Sequence, residues 1–110
     1  AAALGKIGLD TAAVAVPGLR AALHDENPDV RATAISSLGN LGAGAAPALE
    51  GVIEAFGDSF TQVRASAADC AGRLGPGVAA AAVPGLRELM LDKEDFVRAV
   101  ATDAMRKLRD

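Results

Sequence analysis

Apolar residues recur along the chain at helical spacing. Val16, Leu19 and Leu23 stand at i, i+3 and i+7, and Val30, Ala34, Leu38 and Leu41 at i, i+4, i+8 and i+11. Each series lies on one face of an α-helix, and nowhere does strict two-residue alternation persist as a strand requires. Pro28 in ENPD interrupts the two series and prevents one continuous helix. The pattern therefore predicts two antiparallel helices joined by a short turn.

The same pattern returns twice. HDENPDVRATA carries Asp25, Val30 and Arg31; DSFTQVRASA carries Asp58, Val63 and Arg64; DKEDFVRAVA carries Asp92, Val97 and Arg98. The Asp residues are 33 and 34 positions apart. Ahead of them fall Val16, Leu49 and Val83, then Gly18, Gly51 and Gly85, then Leu19, Val52 and Leu86, then Leu23, Phe56 and Met90. Behind them fall Ala34, Ala67 and Ala101, then Leu38, Ala71 and Met105, then Leu41, Leu74 and Leu108. Gly42 and Gly75 follow the closing Leu and read as helix stops. Asp29, Thr61 and Asp95 are candidate caps of the second helices. The recurring Gly of each first helix costs helix stability and marks a place where a neighbour crosses closely.

These offsets divide the chain into repeats over 9–42, 43–75 and 76–110, preceded by residues 1–8. In that stub Leu4, Ile7 and Gly8 match the end of an earlier unit. The expected architecture is all-α, a right-handed α-solenoid of stacked helix pairs. The opening AAALGKIG, with neither Met nor a basic start, reads as neither a signal peptide nor a natural N-terminus. The chain is thus expected to be a slice of a longer array, with apolar surface at each cut end.

Composition changes this picture only at the edges. Apolar residues make up 51% of the 110 positions but aromatics only 3%. Alanine dominates, so the core has to depend on close backbone approach rather than on large side chains. A net charge of −3 excludes the basic excess of a general nucleic-acid binder. A single cysteine cannot form an internal disulfide and points to a reducing, intracellular, cytoplasmic setting. No apolar run reaches the ~18 residues of a membrane span.

Candidate chemistry is sparse. His24, Asp25, Glu26 and Asp29 share one turn, but a lone histidine among surface carboxylates is a poor metal site. Cys70 has no CxxC partner, and GAGAAP follows a helix and lacks the Lys-Ser/Thr of a phosphate loop. Phe60 and Phe96 fall at starts of second helices, where Phe60 is placed to staple the helix entry. No catalytic residue, metal or cofactor is expected. The second helices also carry a polar face, with Ser36, Asp69 and Asp103 at one offset and Lys6, Asn40, Arg73 and Lys107 at the next. Asp69–Arg73 and Asp103–Lys107 are i,i+4 pairs in the favourable order.

The Asp–Val-Arg spacing, the closures LGNLG and LGKIG and the first-helix prolines together resemble the HEAT repeat family over the entire chain. The signatures of ankyrin and tetratricopeptide repeats are absent. The short, Ala/Gly-rich unit is similar to the HEAT-like repeats of bilin lyases and of many scaffold proteins. The resemblance implies a ladder of hydrogen bonds between units, made by Asp25, Arg31, Asp58, Arg64, Asp92 and Arg98. Asp58 is expected to serve Arg64 of its own second helix. It also implies a concave surface lined by second helices, so that Ser36, Asn40, Asp69, Arg73, Asp103 and Lys107 become candidate partner-binding residues. The implied role is a non-catalytic protein-interaction or scaffold module with protein partners. The alternative is a HEAT-like subunit of an enzyme such as a bilin lyase. HEAT-like iron hydroxylases use His-Glu pairs, which this sequence lacks.

Overall fold

A computed structural model describes residues 14–109; the stub of Leu4, Lys6, Ile7 and Gly8 lies outside them. Helix α1 is described over residues 14–22 and α2 spans Pro28–Leu41. A 3₁₀ run over Gly42–Ala48 leads into α3 (Leu49–Glu54), which ends in a 3₁₀ turn over Ala55–Gly57. Then come α4 (Thr61–Leu74), α5 (Pro76–Ala79), a 3₁₀ turn over Ala80–Ala82, α6 (Val83–Leu89) and α7 (Asp95–Arg109). No strand occurs among the described residues, and the fold is all-α.

Local chemistry sets these limits. Pro28 occupies the first turn of α2, where its missing N–H costs nothing. Gly42 and Gly75 take φ of 59° and 88° after the closing Leu, a conformation that a Cβ would strain. The caps differ from the expected ones. Asn27, not Asp29, caps α2, its Oδ1 accepting from Asp29 N at 2.8 Å. Thr61 and Asp95 are first residues of their helices. The ladder aspartates order the turns instead: Oδ1 of Asp25, Asp58 and Asp92 accepts from the N–H of Asn27, Phe60 and Glu94 at 2.8, 2.9 and 2.9 Å. GAGAAP forms most of the 3₁₀ start of a first helix, with Pro47 inside it. Two of the first helices are composites of short α and 3₁₀ pieces, because prolines and small residues interrupt the i→i−4 ladder.

Helix α4 packs between α2 and α7, while α6 packs on α7 and the Ala55–Gly57 turn packs on α4. Ile35, Leu38, Val52, Val63, Leu86 and Val97 are fully buried and form the large-side-chain part of the core. Small residues do the rest. A Cβ added at Gly39 would stand 3.3 Å from Cys70 Cα, and one at Gly72 would stand 3.1 Å from Ala104 Cα. The second helices therefore cross at these glycines, where backbone dispersion contacts replace side-chain bulk. The recurring first-helix Gly has a different use. Leu23 Cδ1 lies 2.5 Å from the Cβ position of Gly51, and Phe56 Cδ2 lies 2.6 Å from that of Gly85. These two first helices thus seat their last apolar side chain in the glycine notch of the next first helix.

Candidate functional site

Two sets of polar residues repeat from unit to unit. The first is the ladder. Arg31 Nε and Nη2 donate to Asp58 Oδ2 and Oδ1 at 2.9 and 3.2 Å. Arg64 makes the same fork to Asp92 at 2.8 and 3.2 Å. Each Arg also donates Nη1 to its own unit's turn: Arg31 to the carbonyls of Asp25 and Glu26, Arg64 to the carbonyl of Asp58. The direction differs from the expected one. The Asp58 carboxylate serves Arg31 of the preceding unit, and Arg64 receives only its carbonyl. The physical reason is reach: the i−6 carbonyl closes the local turn, leaving the planar fork aimed across to the neighbouring turn.

Electrostatics follow from this geometry. Burial pushes the Asp58 carboxyl up, but hydrogen bonds from Arg31 and Phe60 N–H and the charges of Arg31 and Arg64 outweigh it and hold it below the usual value. At Asp92 the Arg64 hydrogen bond is the leading cause of a lowered value, against a smaller opposing effect of burial. Arg64 is the one buried charged side chain among the described residues, 7% exposed, and every buried polar side-chain atom there has a partner. Asp25 and Arg98 stand at the outer positions. Arg98 donates Nη1 to the Asp92 carbonyl and pairs Nη2 with Asp95 of its own helix.

The second set is the exposed face of the second helices. Arg73 bridges α4 to α2, its Nη1 donating to Asn40 Oδ1 at 2.6 Å while its Nε pairs with Asp69 at 3.0 Å. Asp103 pairs with Lys107 at 3.3 Å and with Arg106 at 3.7 Å. Ser36 is not part of this chain of pairs. It lines a groove of about 330 Å³ with Gln62, Ser66, Asp69, Phe96 and Val100, which Ala65 floors. Phe96 is 64% exposed at its edge.

The family model of HEAT repeats matches residues 1–59 and 16–106. The chain belongs to the HEAT repeat family. Among curated proteins no relative matches it. HEAT repeats generally mediate protein–protein interaction or scaffolding and are generally non-catalytic.

In this HEAT array the groove residues Gln62, Ser66, Phe96 and Val100 were not singled out as partner residues by the repeat offsets. The signal was nonetheless available. Gln62, Ser66, Asp69 and Arg73 run at i, i+4, i+7 and i+11, as do Phe96, Val100, Asp103 and Lys107, so each quartet lies on one helical face. Phe60 does not staple its helix; it is half exposed, with the Arg31 guanidinium 5.7 Å from its ring centroid. Cys70 is buried where α4 crosses α2, and burial, reinforced by Asp69 and opposed by Arg73, pushes its thiol up to about 12. Its side chain stands beside Gly39 of α2 at this crossing. His24, Asp25, Glu26 and Asp29 form no metal-binding group, and none of three or more ligands occurs among the described residues. No helix among them is long and apolar enough to cross a membrane.

Proposed function

We propose that this HEAT array is a protein-interaction module whose partner lies along the exposed face of α2, α4 and α7. The observation that carries the reading is the groove beside Phe96. It combines one exposed aromatic ring and Val100 with the polar groups of Ser36, Gln62, Ser66 and Asp69. Aromatic anchors ringed by polar groups supply most of the energy at protein interfaces. The ridge of Asn40, Asp69, Arg73, Asp103 and Lys107 flanks the groove with charges that already pair among themselves, so it contributes orientation more than net attraction. The partner is therefore a protein that inserts an apolar side chain beside Phe96.

A photo-crosslinking residue at position 96, compared with one at Arg87 on α6, tests this in the native source extract. The reading predicts one polypeptide captured at 96 and not at 87, lost on Val100→Asp and weakened by reversing the charges of Arg73 and Lys107. Equal capture from both positions, or capture unaffected by these changes, removes the groove from the account.

A further inference from the structure

We infer that the groove between α3 and α6, on the first-helix side of the array, docks an arginine side chain of a second protein. The groove holds about 490 Å³. Its floor is apolar: Phe56 and Leu89 are buried, and Phe56 fills the notch at Gly85. Its walls are acidic. Glu54 ends α3 and Glu88 lies in the last turn of α6, and both are exposed. Neither forms an ion pair among the described residues. The third carboxylate of the groove, Asp92, is already taken by the fork of Arg64. An arginine suits this lining. Its apolar stem lies on such a floor while its head stays at a polar rim. Its planar head carries five donors, enough to serve carboxylates on two walls, and gives up its hydration more readily than an ammonium.

Two comparisons within the chain single out this groove. The first is with the ordinary rule for helix ends. Outward-facing carbonyls make a helix C-terminus negative, so an acid there is unfavourable. Glu nevertheless recurs there in both units, four positions ahead of the ladder aspartate. A guanidinium between them offsets both charges. The second comparison is with the equivalent groove between α1 and α3, of about 270 Å³. There Ala21 stands at the offset of Glu54 and Glu88, and the Arg31 guanidinium is part of the lining. An incoming cation would meet one acidic wall fewer and a guanidinium already in place. The ridge of the second helices differs again, because Asp69 and Asp103 are paired with Arg73 and Lys107. The α3–α6 groove shares no residue with the one beside Phe96. The inference is therefore independent of what binds there.

The test is an NMR titration of the isotope-labelled chain at ~0.15 M salt, which screens loose surface attraction. The probes are a blocked Gly-Gly-Arg-Gly-Gly peptide and its twin with citrulline, the neutral isostere of arginine. The arginine peptide is expected to give saturable shifts confined to amides of 53–57 and 85–92. Citrulline in the peptide, or Glu54→Gln together with Glu88→Gln in the chain, should weaken binding at least ~10-fold. Unchanged shifts elsewhere report that the substituted chain is folded. Glu26→Gln removes the same charge from an exposed turn and should leave binding unaltered. Equal binding of the citrulline peptide, equal binding to the doubly substituted chain, shifts spread over the acidic turns, or no saturable shift overturns the inference.

Discussion

Arg64 in α4 and Arg98 in α7 occupy the same place in their units, yet they do different work. Arg64 is 7% exposed and forks onto Asp92 of the next unit. Arg98 is part-exposed and is held by Asp95, whose side chain is 93% exposed. The same contrast runs along both helices. α4 buries nine of its residues between two neighbours, including Gly72 at the crossing with α7; α7 buries four. One template is therefore read in two environments. Where a helix is covered on both sides, every polar group must find a protein partner and every crossing must be small. Where it is covered on one side, water satisfies the same positions and charge is tolerated.

The largest break in this comparison is expected from Arg64→Ala. It leaves the Asp92 carboxylate with only the Glu94 N–H and takes the Arg64 donor from the Asp58 carbonyl, and a loss of about 3–5 kcal/mol should appear in urea unfolding. Arg98→Ala should cost less than about 1 kcal/mol in the same assay. Next comes the crossing. Gly72→Val drives a branched side chain against the Ala104 backbone and should cost about 1–3 kcal/mol, although it improves helix propensity. Arg106→Ala, at the matching site of α7, should stay within about 0.5 kcal/mol of the native chain.

Acid sharpens the comparison further. The folded-state values of Asp58 and Asp92 are lowered, so their contribution is present above the unfolded value near ~3.9 and is lost as pH falls through the still lower folded value. Stability should therefore fall as pH drops below about 4, and less steeply in Asp92→Asn than in the native chain, as followed by circular dichroism. The smallest effects belong to the exposed ridge. Removing Asp103, or Asp69 in the presence of Asn40, should change stability by about 0–1 kcal/mol, within reach of thermal scans with replicate proteins.

The helix pairs were legible because burial enforces a periodic pattern, and Val63, Val97 and Leu86 were correctly placed by it. The ladder residues were legible as a recurring set but not in their direction. Spacing along the chain gives no information on whether a carboxylate faces its own unit's Arg or the preceding one. That depends on how far one turn is set from the next. Gly39 and Gly72 were hidden for a related reason. They sit inside good helical pattern, and only the approach of Cys70 and Ala104 explains them. The short 3₁₀ pieces of the first helices escaped because Ala and Gly favour no single local geometry there. The groove beside Phe96 joins residues from α2, α4 and α7, so no single segment announces it.

An inner rung is a buried pair, whereas the α7 pair lies at the surface. A double-mutant cycle on Arg64 and Asp92, run beside one on Arg98 and Asp95, tests it most directly. The account predicts a coupling of about 1–3 kcal/mol for the first pair and no more than about 0.5 kcal/mol for the second. Equal couplings, or none between Arg64 and Asp92, would contradict it.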